Sequence, residues 1–194
     1  MSKQGKIIVL SGSSGAGKTT LMHALCDYFK SSHPLDRVIT YTTRAVRPGE
    51  ADGIDYYFVS QEQFEQKIQE GFFLEWSLAY GCYYGSPYSL IKNCQEGMSS
   101  IAILDRSGVQ RLLSLCPEYV VSVWISVEYR NLEARLKARA TEDEASYNRR
   151  LQLAQQEGEQ ERQNPLFSYN VPNDLFGDAL KRLIEIVIRE LEIL

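Results

Sequence analysis

Short apolar runs alternate along the chain with longer stretches whose apolar positions recur every three to four residues, the pattern of an α/β protein on a mainly parallel sheet. Ile7 to Leu10 predict a first strand and Ser11 to Gly17 a glycine-rich turn. Lys18 to Phe29 follow as a helix with Leu21, Met22 and Leu25 facing inward, and Val38 to Thr40 is expected to form a second strand. Residues 42 to 53 are polar and broken by Pro48-Gly49 and Asp52-Gly53, after which Tyr56 to Val59 resumes strand character. Ser60 and Gln63 have the spacing of a capping box on a short helix. Aromatic residues crowd around Glu75 between Phe72 and Tyr84, so residues from about 40 to 90 read as a small mixed α+β insertion.

The alternation returns with a strand over Ile101 to Leu104, a helix from about Gly108 to Leu115 and a strand over Val120 to Ile125. Ser126 is expected to N-cap the next helix, which passes through Leu132 and Leu136 and ends near Arg139. Thr141 with Glu144 predicts a second capping box, opening a solvated Gln- and Glu-rich helix that Asn164-Pro165 breaks. Leu175 to Leu194 has the spacing of a helix packed on the sheet.

Composition narrows the function. At 194 residues, 44% hydrophobic and 24% charged, the chain has the make-up of one globular domain, not of a disordered, collagenous or coiled-coil protein. A net charge of −4 argues against a whole-surface grip on nucleic acid, so any anion site is a local cleft. Met1 to Lys6 is polar and leads into only four apolar residues, too few for an export signal or membrane span, so a cytoplasmic location without a membrane partner is expected. Cys26, Cys82, Cys94 and Cys116 form no Cys-x-x-Cys pair and lie apart from His23 and His33, which favours reduced thiols over a metal cage.

Gly12-Ser13-Ser14-Gly15-Ala16-Gly17-Lys18-Thr19 matches the P-loop pattern and lies between a predicted strand and helix, as its mechanism requires. Glycines let successive backbone N–H groups converge on phosphate oxygens, and the helix N-terminus adds partial positive charge. Lys18 is then expected to reach the β and γ phosphates, and Thr19 to offer its hydroxyl to Mg²⁺, with Thr20 beside it in the nucleotide-binding set. A GTPase switch usually carries Asn-Lys-x-Asp late in the chain, which this sequence lacks. Arg44 and Arg47, three residues apart, repel unless an anion lies between them, which makes a second phosphate site plausible, with Tyr56 and Tyr84 as phenolic donors.

The residues then closely resemble the guanylate kinase family. The likeness runs through Thr42-Thr43-Arg44, Arg47-Pro48-Gly49-Glu50, Asp52 to Tyr56, Phe73-Leu74-Glu75-Trp76 and Tyr83-Tyr84-Gly85-Ser86. It continues through Arg135, Arg139-Ala140-Thr141, Arg150-Leu151 and Asn173-Asp174. The resemblance implies a P-loop three-layer core at about 1–39, 91–128 and 165–194, a GMP-binding insertion at about 40–90 and a helical lid at about 129–164. It implies transfer of a phosphoryl group from ATP with Mg²⁺ to GMP or dGMP, in purine nucleotide metabolism. Glu75 and Asp105 would read the guanine edge, Thr40 and Ser86 would supply hydroxyls, and Arg44, Arg47, Tyr56 and Tyr84 would hold the acceptor phosphate. Arg135, Arg139 and Arg150 would act as lid arginines, with Lys18 and Arg44, on the transferring group, and Asn173 would lie near adenine.

The chain departs from that family in several places. Ala138 and Ala140 replace glycines around the lid arginine, which stiffens the expected hinge. Ile103 and Ser107 stand where an acidic residue and a glutamine are common, which puts the hydrogen-bonded setting of Asp105 in question. Cys82 replaces a common asparagine, and Pro172 removes a donor before Asn173. Two other readings compete: a kinase acting on another phosphorylated acceptor such as a ribose bisphosphate, and a guanylate-kinase-like binding module without catalysis. Relatives of the second kind typically lose the P-loop lysine or lid arginines, and here Lys18, Arg139 and Arg150 are all present. Monomer and homodimer are both compatible with the sequence.

Overall fold

The computed structural model describes residues 4–79, 81–138 and 144–193. Its core sheet comprises β1 (Ile7–Ser11), β2 (Asp36–Arg37), β7 (Ser100–Ile103), β8 (Val120–Ser126) and β9 (Tyr169–Pro172), all parallel, in the order β2-β7-β1-β8-β9. A second sheet, ordered β4-β3-β6-β5, is made of β3 (Tyr41–Thr42), β4 (Tyr57–Phe58), β5 (Phe73–Ala79) and β6 (Cys82–Pro87). The helices are α1 (Lys18–Phe29), α2 (Gln61–Gln69), α3 (Ser89–Gln95), α4 (Arg106–Leu115), α5 (Tyr129–Ala138), α6 (Glu144–Gln163) and α7 (Phe176–Glu190).

β1 is buried along its whole length because both faces of the sheet are covered. Ile8 and Leu10 pack with Leu21, Leu25 and Phe29 of α1 and with Leu183 and Val187 of α7. Ile7 and Val9, on the alternate face, pack with Val109 and Leu112 of α4 and Leu90 of α3. This is the expected three-layer arrangement. All four cysteines are unpaired thiols, and burial raises that of Cys94 to about 11.

In the second sheet, β6 runs antiparallel to both β3 and β5. The sheet is braced from behind by Phe64 of α2, which is fully buried and stacks on Phe73 and Tyr83 at centroid distances of 4.4 and 5.1 Å. The Ser60 capping box opens α2 as expected: Gln63 N–H donates to Ser60 Oγ and Ser60 N–H to Gln63 Oε1.

Three expectations are corrected. Residues 38–40 do not form a strand but the crossover between sheets: Val38 N–H still donates to Ile101 of the core, whereas the Thr40 carbonyl already accepts from Tyr57 of the second sheet. Ser126 is the last residue of β8 and not an N-cap. Its carbonyl accepts from Asn173 N–H, and the Glu128 amide and the Asn131 side chain at the start of α5 bond to distant Asp174 instead. The helix expected from Gly108 begins at Arg106, because the Asp105 side chain accepts from Gly108 N–H and caps it. The Thr141 capping box lies outside the described residues.

At the other end of α6, the Arg106 guanidinium bonds to Glu161 and to the Asn164 carbonyl, while Glu161 also accepts from Leu166 N–H. Both side chains of this ion pair are largely buried, with 18% and 12% exposure. Arg106→Ala strands a mostly desolvated carboxylate and is expected to cost about 1–3 kcal/mol. Urea denaturation checks this by a lower midpoint at unchanged slope; an unchanged midpoint would refute it.

Candidate active site

The loop between β1 and α1 is fixed by close approaches that exclude side chains. Gly12 has φ +144°, and a Cβ there would lie 2.4 Å from the Ile125 carbonyl oxygen. Gly17 has φ +85° and would collide with Asn173 Nδ2 at 2.5 Å. No side chain caps the first turn of α1. Lys18 folds back over the loop, donating from Nζ to the carbonyls of Gly12 at 2.6 Å and Ser13 at 2.9 Å. Thr19 and Thr20 are exposed on that first turn. Asn173 is buried beneath the loop and donates to the Ala16 carbonyl at 2.7 Å, so it braces the backbone from below. Arg135 in turn donates to the Asn173 carbonyl at 2.7 Å.

One cleft of about 180 Å³ joins this loop to the second sheet. Gly12, Ser14 and Lys18 line one end, Arg44, Arg47, Tyr56 and Tyr84 the side, and Thr40, Glu75 and Asp105 the far end. Ser86 is fully buried behind it, as the register partner of Glu75 on β6.

At the far end, Glu75 is 3% exposed and its Oε1 is buried without a hydrogen bond, as is Ser86 Oγ. Burial raises the Glu75 carboxyl to about 7, the Asp105 charge adds to the rise and neighbouring Ser86 offsets part of it. α4 approaches so closely that a Cβ on Gly108 would lie 2.8 Å from Glu75 Oε2. Asp105 is held at both oxygens, by Gly108 N–H at 2.8 Å and by Ser77 Oγ at 2.6 Å. Its hydrogen-bonded setting therefore survives the Ile103 and Ser107 replacements.

Along the side, Arg44 is held by an internal anion. Its Nη2 donates to both oxygens of Glu50 at 2.8 and 2.9 Å, and its guanidinium lies 5.3 Å from the Tyr56 ring centre. Glu50 also accepts from Arg47 N–H, while the Arg47 side chain is left exposed. Burial raises the Tyr56 phenol, which keeps it a donor near neutral pH.

α5 and α6 share a small core of their own, Leu132 and Leu136 of α5 with Ala154 of α6. Ser13 Oγ of the loop donates to the Ala154 carbonyl at 3.2 Å, so α6 docks on the phosphate loop. Arg150 is half-buried on α6, and Arg139 lies outside the described residues. Two residues that sequence reasoning missed are Ser77 and Glu50. The signal for Glu50 is a carboxylate six residues from Arg44 in the Arg47-Pro48-Gly49-Glu50 motif, whereas the partner of Ser77 is 28 residues away.

A parallel sheet with a glycine-rich P-loop after its central strand, facing a second sheet with a buried acidic pocket across one cleft, defines the class as a P-loop α/β protein. The family model for guanylate kinase matches residues 4–190. A guanylate kinase of Latilactobacillus sakei is 35% identical over 96% of this chain and 90% of that protein, and one of Caldanaerobacter subterraneus is 37% identical over 97% and 89%. The crystal structure of guanylate kinase from Anaplasma phagocytophilum superposes with a TM-score of 0.79 at 27% identity, covering 97% of this chain and 87% of that one. The chain belongs to the guanylate kinase family.

Ionising Glu75 costs the folded protein free energy. Its folded value lies above that of an unfolded glutamate, so this cost sets in as pH rises from about 4.5 through about 7. Glu75→Gln should therefore raise the melting temperature of the ligand-free protein at pH 8 by several degrees, roughly 2–4 °C for each kcal/mol relieved. At pH 5 it should change little. Equal effects at both pH values would show that Glu75 is not the titrating group.

Proposed function

We infer that this chain transfers the terminal phosphoryl group of ATP to GMP, forming ADP and GDP. The observation that carries the reading is Glu75, a buried acceptor with one unpartnered oxygen, beside Asp105 in a cleft that also holds the phosphate loop and Arg44. Guanine offers N1–H and its 2-amino group as donors at one edge, which suits two carboxylates; adenine would leave Glu75 without a donor at N1. A site that depends on polar pairing in this way rejects the wrong base by as much as about 10⁴- to 10⁵-fold. A ribose bisphosphate has no such edge and finds no use for Glu75.

In this reading the loop from Gly12 to Thr20 holds the donor phosphates, with Lys18 exchanging its two backbone carbonyls for phosphate oxygens. Arg44, Arg47, Tyr56 and Tyr84 hold the GMP phosphate, and Thr40 and Ser86 support the base. Asn173 serves the nucleotide indirectly, through the loop backbone. An oxygen of the GMP phosphate attacks the γ phosphorus as the bond to the β,γ-bridging oxygen breaks, and ADP leaves with that electron pair. Lys18, Arg44, Arg135, Arg139 and Arg150 stabilise the charge spread over the transferring oxygens. Lid closure keeps water away from the γ phosphate.

The exposed Thr19 hydroxyl next to Lys18 suits Mg²⁺, which is held mainly by nucleotide phosphates and needs few protein ligands. Bound there, the ion would neutralise phosphate charge. Among the described residues no helix is long and apolar enough to cross a membrane. The reading assigns the reaction to purine nucleotide metabolism, with the cytoplasm as its proposed location.

The deciding experiment is a coupled assay of ADP formation with GMP, dGMP, AMP, UMP and ribose bisphosphate as acceptors. Turnover with GMP and not with AMP is expected, and absence of GMP turnover would overturn the reading. Because the base is accepted by ionised Glu75, KM for GMP should fall roughly tenfold between pH 6 and pH 8. Glu75→Gln shares the titration of the substrate phosphate and should lose the remaining dependence. For the lid, Arg139→Ala should lower kcat at least about a hundredfold with GMP binding nearly intact; a change confined to KM would remove Arg139 from the charge-stabilising set.

A further inference from the structure

Glu75 and Ser77 lie two residues apart on β5 and point the same way, into the cleft, whereas Trp76 and Leu78 between and after them face solvent at 45% and 64% exposure. Ser77 is buried, and its Oγ donates to Asp105 Oδ2 at 2.6 Å, short for a hydroxyl–carboxylate bond and charge-assisted. Asp105 Oδ1 accepts from Gly108 N–H at 2.8 Å. The carboxylate is thus pinned by one bond to the insertion and one to its own helix. Free rotation about its last torsion would break one or the other.

Each carboxylate oxygen has two acceptor positions, and each of these bonds uses one. One position on each Asp105 oxygen is left over, and the Ser77 oxygen, having donated its hydrogen, still accepts. Glu75 Oε1 is buried without a partner a short way along the same strand. The far end of the cleft therefore holds more acceptor capacity than one ring N–H can use.

We propose that Ser77 is a specificity-determining positioning residue, locking Asp105 so that the Ser77–Asp105 pair accepts the 2-amino group of guanine while Glu75 takes N1–H. This rests on GMP being the acceptor and extends it. The pair separates guanine from hypoxanthine, which presents the same O6 and N1–H without the amino group. It also ties β5 to the end of β7, so the base is read across the joint between the two sheets.

The test compares GMP with inosine monophosphate as acceptors for wild type, Ser77→Ala and Ser77→Cys, with melting curves confirming that each folds. Ser77→Ala is expected to raise KM for GMP about tenfold, leave kcat within about twofold and leave KM for inosine monophosphate within about twofold, so that the preference for GMP falls about tenfold. Ser77→Cys, close in shape but a weak donor, should lose preference in the same direction by a smaller factor. An unchanged ratio of the two acceptors in both variants, equal losses with both acceptors, or a loss confined to kcat, overturns the assignment. Wild-type turnover with GMP in the same assay keeps this separate from the broader reading: if wild type ignores GMP, the function falls; if only the variants behave like wild type, Ser77 alone does.

Discussion

A nearly buried carboxyl with an unpartnered oxygen is the constraint around which this molecule is arranged. Glu75 carries a desolvation cost that Ser86 offsets in part and that favours a proton on the carboxyl into the neutral range. Keeping it in place takes the rest of the second sheet: the β5–β6 pairing presents it opposite Ser86, and Phe64 clamps the strands from behind. Gly108 lets α4 close over it without a side chain. The register of β5 shifts between Phe73 and Glu75, where the strand turns from packing against the core to facing the cleft.

Much of this was legible in the sequence, and the boundary falls where local patterns end. The P-loop is a contiguous motif whose flanking strand and helix obey period-two and period-3.6 rules, and both elements form where the pattern puts them. The capping box at Ser60 is equally local. The failures are tertiary. Ser126 looked like a cap because a serine after a strand usually is one, yet Asp174, 46 residues from Glu128, bonds the amide there. β9 is not among the strands read from the sequence; it is only four residues long and ends at Pro172 on the edge of the sheet, where a missing donor costs little. Val38 to Thr40 has strand composition, and the crossing between sheets interrupts it.

The candidate site divides in the same way. Arg44 and Arg47 stand out because two guanidiniums three residues apart repel without an anion, Tyr56 as a phenolic donor beside them and Glu75 through the family resemblance, and the fold lines one cleft with all four. Ser77 carried no such signal. A serine on a strand is unremarkable until Asp105 arrives from another sheet, and Asp105 itself was doubted because its sequence neighbours had changed. Its support comes from Ser77 of the other sheet and from the Gly108 amide of its own helix, neither of which depends on Ile103 or Ser107, so it is hydrogen-bonded at both oxygens.

The charged groups of the cleft also have partners within the chain. Arg44 grips Glu50, Lys18 leans on two carbonyls and Glu75 tends to keep a proton. A phosphate carries more charge than a carboxylate or a carbonyl, and a guanine edge offers donors that a buried proton cannot match. Under the proposed function, substrate binding would replace each partner with a stronger one, at a net gain smaller than the gross contact energy because the old bond must break first. The repulsion expected between Arg44 and Arg47 without an anion is thereby relieved in advance by Glu50, whose second oxygen also holds the Arg47 backbone. Preorganisation of this kind lowers the ordering cost at the moment of binding, and the charges are already aimed when the second nucleotide arrives.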